Sequence, residues 1–302
     1  MDLKQLEYFV HVAELGSFTK AAALLGVAQP ALSRQVRSLE IELKQVLLLR
    51  TGRGASVTEA GKCLLAHGRG ILHQFERARA DVDALKGAPV GRVAVGMPPT
   101  VAKLLAVRLV KEFRIRSPRA TLSIVEGLSD YMHEWLQIGR IDVALLYNPV
   151  PSPSVETTPL LEEDLFLIGP KRGRTREQAR PVTLRELASY PLIIPTRPHA
   201  IRMQVETELA KLGMRPAVAL EIDGVAAILE LVASGHGFAV LTLNAVRASG
   251  APQAYLPRPI LRPRLRSRLA LAVSAQRPST PIQRATLSLI QDFGLEVLAP
   301  SG

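Results

Sequence analysis

The sequence predicts a chain of three parts: an all-helical head over residues 1–60, a long amphipathic helix over 61–90, and an α/β region over 91–302 built as two similar subdomains around a cleft. Three observations predict this. Apolar residues in the head recur at helical spacing and are interrupted at Gly16-Ser17 and Gly26-Val27. From Gly61 a single apolar seam alternates three and four residues for more than three heptads. After Gly91 the rhythm becomes short apolar strands alternating with helices.

Composition sets outer bounds. The chain has 302 residues, 47% hydrophobic and 22% charged, which is the make-up of folded domains rather than of a disordered chain. Asp2, Lys4 and Glu7 break any early apolar run, so no signal peptide is expected, and no uncharged stretch is long enough for a membrane span. One cysteine, Cys63, excludes an internal disulfide framework, and the cytoplasm is the expected compartment. Net charge is +11, but residues 1–90 carry 12 Lys+Arg against 9 Asp+Glu and residues 91–302 carry 26 against 18. Most of the excess lies outside the head, so the local pattern decides more than the bulk charge.

In the head, Leu3, Leu6, Phe9, Val10 and Ala13 form one helical stripe. Thr19 offers an N-cap for a second helix, Lys20 to Leu25. A third helix begins near Gln29-Pro30, since proline is tolerated in a first turn. Leu32, Val36, Leu39 and Leu43 then face inward, which turns Gln29, Ser33, Arg34 and Arg37 outward at the helix start. Two short helices, a tight turn and a third helix with a polar leading edge describe a helix-turn-helix. A three-helix bundle with a merely solvated face has the same pattern.

The run LEYFVHVAELGSFTKAAALLGVAQPALSRQVRSLEIEL, followed by LLLRTGRGASVTEAGK, resembles the signature of the LysR-type transcriptional regulators. The resemblance implies a winged helix-turn-helix on double-stranded DNA. Residues matching Gln29, Pro30, Ser33 and Arg34, with Arg37 beside them, would enter the major groove. Arg50 and Arg53 would meet phosphates or the minor groove from the wing. Gln and Arg suit base edges, and Ser and Arg also bind phosphate. Ser17 and Thr19 would present backbone N–H groups to a phosphate. Three positions depart from the family pattern: Ala28 replaces a capping Ser, Lys44 replaces a Gly just past the third helix, and Leu48 replaces a Phe before the wing. None removes a group expected to touch DNA.

The seam of the long helix runs through Gly61, Leu64, Gly68, Ile71, Phe75, Ala78, Val82 and Leu85. Either it packs on its own chain or it pairs with a second copy. The two-fold symmetry of a palindromic DNA site favours pairing through Leu64, Ile71, Phe75, Ala78, Val82 and Leu85. Cys63 reads as an inert packing residue.

Strands are predicted at 93–96, 121–125, 141–147, 165–169, 192–195, 217–222, 238–242 and 269–273, in mostly parallel sheets. Helices are predicted at 100–116, 129–139, 200–212, 224–235 and 281–296. Thr183-Leu184-Arg185-Glu186 reads as a capping box for a further short helix. The segments SIVEGLSDYMHEWLQIGRIDVALLY, LEEDLFLIGP and LELVASGHGFAVLT extend the LysR resemblance, nearest to the nitrogen-assimilation-control branch. They imply a periplasmic-binding-protein-like effector domain, with subdomain I at 91–163 and 265–302 and subdomain II at 164–264. Ligands in such sheets bind beyond strand carboxyl ends. Three segments qualify: Pro99-Thr100, Leu128-Ser129 and Thr196–Arg202. Helix N-termini there, with Arg197, His199 and Arg202, suit an anionic effector, while a purine or uncharged metabolite remains open. Thr100 and Ser129 also read as plain N-caps, and His199 as a solvated loop residue. Arg258, Arg262, Arg264, Arg266 and Arg268, among prolines 257, 259 and 263, read as a solvated extended crossover.

The six histidines show no metal-ligand spacing, and no catalytic fingerprint occurs in its required context. No enzyme activity, metal or cofactor is expected. The competing reading is a solute-binding transport protein, which would share the second region but need export and no helix-turn-helix. The resemblance implies a homodimer pairing into a dimer of dimers, and RNA polymerase as a further partner.

Overall fold

The computed structural model describes residues 1–51, 54–84, 91–171 and 180–299, which fall into two compact units. In the first, α1 (Leu3–Leu15), α2 (Phe18–Leu25) and α3 (Gln29–Leu43) precede a short hairpin, β1 (Leu48–Thr51) and β2 (Gly54–Val57), and the long α4 (Glu59–Ala84). Asp2 and Gln5 close a capping box on α1, and Gly16 ends it at φ 61°. The cap of α2 is Ser17, whose Oγ accepts from Lys20 N at 3.3 Å, so α2 starts before Thr19, which is exposed inside it. The earlier hydroxyl wins because Gly16 already reverses the chain.

Leu6, Phe9, Val10, Leu32, Val36 and Leu39 form the core with Tyr8, Val12, Ala21, Ala22, Leu47 and Leu48. Leu43, expected inside, is exposed at the end of α3. The wing is tied down by Glu40, whose carboxylate accepts from Leu47 N (2.8 Å) and Leu48 N (3.1 Å). Thr58 Oγ1 donates to Val46 O at 2.7 Å and accepts from Gly61 N at 3.0 Å, fixing the start of α4.

Two of the family departures have visible consequences. Ala28 gives α3 no side-chain cap, and Lys44 ends α3 at φ 52°, a left-handed conformation that glycine adopts without steric cost. Lys44→Gly is expected to raise the stability of this unit by about 1 kcal/mol, read as a higher denaturant midpoint with an unchanged slope.

The seam of α4 divides. Leu64, half-buried, packs with Leu65 and Leu72 on the core of the first unit, and Gly68 lies against Leu6 and Val10. Ile71, Phe75, Ala78 and Val82 are exposed. Leu85 lies outside the described residues. Cys63 is exposed, not packed as expected, because it falls off the face that Gly61 and Leu64 present to the core.

The second unit is α/β. Its first lobe holds β3 (Gly91–Met97), α5 (Pro99–Arg116), β4 (Ala120–Glu126), α6 (Ser129–Gln137) and β5 (Val143–Tyr147). β6 (Val155–Pro170) then leads into the second lobe: β7 (Val182–Thr183), α7 (Leu184–Leu187), β8 (Leu192–Ile194), α8 (Ala200–Ala210), β9 (Val218–Glu221), α9 (Val225–Ala233), β10 (Ala239–Thr242) and α10 (Leu243–Ala248). β11 (Tyr255–Leu261), β12 (Arg266–Ser274) and α11 (Pro281–Leu298) complete it. The Thr183–Glu186 capping box forms as predicted and starts α7.

The sheet order is β4-β3-β5-β12-β6-β11-β7, with β10 also on β6. Pairing is mixed, in contrast to the mostly parallel sheets expected. β3 pairs in parallel with β4 and β5, and β8 with β9, but β12 and β6 run antiparallel through the centre. β6 is the reason. Its first half pairs with β12 and its second half with β10 and β11, so one strand of 16 residues serves both lobes. One apolar core runs from Leu165 to Leu265, and the others draw on 93–155 and 269–298.

The arginine-proline segment is strand rather than solvated crossover over 255–261. Pro257 and Pro259 occupy alternate positions where β11 pairs with β6 alone, so the ladder tolerates their missing N–H groups. Arg258 is 4% exposed, donates to Arg180 O and Tyr190 Oη at 2.8 and 2.9 Å, and lies over the Tyr190 ring.

Candidate functional site

Two places concentrate unassigned chemistry. The first is the leading edge of α3. Arg34 and Arg37 are exposed, and neither pairs with a carboxylate among the described residues. Pro30 is exposed beside them, with Gln29 and Ser33 half-exposed. Buried Leu32, Val36 and Leu39 on the opposite face fix this orientation. Arg50 lies in β1 of the wing, and Arg53 lies outside the described residues.

The second is a cavity of about 450 Å³ between the lobes of the α/β unit. The first residues of four helices line it: Pro99, Ser129, Ala200 and Val225. Of the predicted contacts, Pro99, Thr100, Leu128, Ser129 and His199 line the cavity. Ser129 Oγ accepts from Tyr147 N at 2.9 Å, which ties α6 to the end of β5.

Thr196, Arg197 and Arg202 do not line it. Thr196 donates its hydroxyl and its N–H to Asp223, and the hydroxyl bond is the larger cause of the lowered Asp223 pKa. Arg197 binds Glu206 Oε2. Arg202, 8% exposed, is consumed by Glu206, Glu221 and Pro195 O at 2.9, 3.1 and 2.9 Å. Burial works against ionisation of Glu206, but hydrogen bonds from Arg202 and Arg197 hold its carboxyl below the usual range. The expected cations are therefore neutralised by their own helix and strand neighbours, and the anionic effector they would have held loses its main support.

Several lining residues were not anticipated: Trp135, Tyr147, Asp223 and Thr242 among them. Tyr147 and Thr242 end predicted strands, so the strand-end rule applied at three other segments would have found both. Behind the cavity, Tyr147 Oη donates to Glu163 at 2.9 Å and Asn244 Nδ2 donates to its other oxygen at 2.7 Å. Burial raises the Glu163 pKa against those hydrogen bonds, and burial, then the Glu163 charge, raises that of Tyr147.

His199 caps α8 without a side-chain bond, and its Nδ1 is buried with no partner among the described residues. Burial lowers its pKa, more than the Asp223 charge raises it. The folded state then binds fewer protons than the unfolded one between that lowered value and the ordinary value of about 6.5. Stability contributed by neutral His199 is present above 6.5 and lost on acidification through it. A melting temperature that falls between pH 7.5 and 5.5, and falls less in His199→Asn, is the expected result.

A helix-turn-helix head followed by a two-lobed ligand cleft defines a class, the transcription regulators that couple DNA binding to a small molecule. Comparison with known proteins specifies it further. Residues 3–62 match the bacterial regulatory helix-turn-helix protein, lysR family, and residues 86–294 match the LysR substrate binding domain. The chain belongs to the LysR family of DNA-binding transcriptional regulators. It is 34% identical to the nitrogen assimilation regulatory protein nac of Klebsiella aerogenes, over 98% of this chain and 97% of that one. With the Escherichia coli (strain K12) protein of the same name it shares 35% identity over 96% and 94%. Its fold matches full-length CbnR in complex with target DNA at a TM-score of 0.69 and 25% identity, over 97% of this chain and 99% of that one. These relatives are regulators, not transport proteins or enzymes. No helix among the described residues is long and apolar enough to cross a membrane.

Proposed function

We propose that the chain acts in the cytoplasm as a homodimer on an inverted-repeat promoter site, and that a small molecule in the cleft alters how the paired heads engage DNA. Residues 1–60 serve DNA binding, 61–90 dimerisation, and 91–302 effector binding, the last as subdomains 91–163 with 265–302 and 164–264. Contacts to DNA come from Ser17, Thr19, Gln29, Pro30, Ser33, Arg34, Arg37, Arg50 and Arg53. The observation that carries this reading is the unpaired, exposed cationic edge of α3 set against a buried face, which is the geometry a major-groove helix needs. The exposed stripe Ile71, Phe75, Ala78 and Val82 on α4 supports dimerisation, with Leu64 already used inside the chain. The cleft biases a two-state arrangement of the effector domains, which sets the head spacing. A dimer of dimers and RNA polymerase follow as further partners, and nitrogen-assimilation promoters are the first targets to examine.

Selection of bound duplexes from a random library by the full-length protein tests the reading. Enrichment of an inverted repeat is the expected result. Enrichment of nothing at both low and moderate salt would leave only nonspecific charge attraction and overturn it.

A further inference from the structure

The cleft carries a charge pattern opposite to that implied by its converging helix starts. Among the described residues no Arg or Lys lines it, and burial works against the charged form of His199. Pro98 and Pro99 have no N–H, so the start of α5 lacks two of the donors a helix end ordinarily offers an anion. The start of α6 carries Asp130 in its first turn. The hydroxyl of Tyr147 is spent on Glu163.

The same lining includes acidic and aromatic side chains. Glu126 and Asp130, four positions apart, are exposed, and neither forms an ion pair with a described residue. Tyr131, Trp135 and Leu128 line the same cavity. Unpaired carboxylates next to aromatic faces attract a cation through both charge and ring quadrupole, and repel a carboxylate or phosphate.

We propose that the cleft takes an organic monocation: an apolar body bearing one ammonium group, which sits at Glu126 and Asp130 while the body lies against Trp135 and Tyr131. This rests on the cleft being the effector site. The body is compact, because about 450 Å³ must hold all of it.

Trp135 is the only tryptophan of the chain, so its fluorescence reports the cavity directly. Full-length protein is titrated with benzylamine, benzyl alcohol and benzoate, and with cyclohexylmethylamine, cyclohexylmethanol and cyclohexanecarboxylate. Each amine is expected to saturate the signal at a concentration about tenfold below its alcohol, with the carboxylate weakest. The double variant Glu126→Gln, Asp130→Asn should lose the amine's advantage and keep the alcohol's affinity, which also shows that the cavity is intact. A carboxylate binding tightest, or an amine advantage that survives in the double variant, overturns the cation assignment and leaves the effector cleft standing. Saturation by none of the six overturns both.

Discussion

Arg34→Ala is expected to weaken binding of the selected operator at least about tenfold, because a bidentate arginine–base contact is worth about 1–3 kcal/mol. The side chain is exposed and touches no described carboxylate, so the circular dichroism spectrum and oligomeric state should not change. The salt dependence then separates two roles. If Arg34 reads a base, sequence preference relaxes at one position and the salt slope is nearly kept. If it neutralises a phosphate, affinity falls evenly over all sequences and the slope drops by about one. Arg34→Lys should recover little in the first case, since an ammonium lacks the planar fork, and much in the second. Unchanged affinity by electrophoretic mobility shift would remove Arg34 from the contact surface.

Gly61→Ala should cost the first unit a large part of its stability. A Cβ at this position would lie 2.2 Å from the Leu47 carbonyl oxygen and 2.6 Å from Val57 Cγ1. The first is backbone at the entry to the wing and cannot swing away, so α4 must shift from the hairpin it anchors. Overpacking of this kind costs about 3 kcal/mol, and operator binding should fall with it as the wing loosens. Gly26→Ala is the internal control. Nothing lies within 4 Å of its added Cβ, and only the φ of 64° is strained, so about 1 kcal/mol is expected. Differential scanning calorimetry of the full chain, with hydrogen exchange of α1 and α4, distinguishes the two. Equal losses would mean that the close approach at Gly61 does not constrain the unit.

The head was legible because its helices are short, capped and periodic: Leu6, Phe9, Leu32, Val36 and Leu39 fall where their spacing places them. The errors there are local. Ser17 and Thr19 both make acceptable caps, and only the chain reversal at Gly16 decides between them. In the α/β unit, strands with flanking turn residues were readable, whereas β6 was read only from 165. Its first half runs through four consecutive exposed residues, Glu156 to Pro159, so it has no continuous apolar run. β11 was hidden by its prolines, whose tolerance depends on which neighbour sits on which side. The charge of the cleft was misread for a related reason. Arg197 and Arg202 stand at the right place in sequence, and the Arg202–Glu206 pair, four apart on one predicted helix, was readable there; the approach of Glu221 to Arg202 and of Glu206 to Arg197 is created only by the fold.

The strand shared by both lobes also sets the order in which the chain can mature. The first lobe begins at β3, yet its core is completed by Leu269, Leu271, Leu289, Ile290 and Phe293, which follow the whole of the second lobe. On a ribosome delivering residues from the N-terminus, the core bounded by Leu165 and Leu265 has all its parts first. The earlier-synthesised lobe must wait, with Val93, Val95 and Leu105 uncovered, until α11 emerges. A chain cut short before Pro281 would therefore keep a finished second lobe and a sticky first one, a form that chaperones and proteases are built to find.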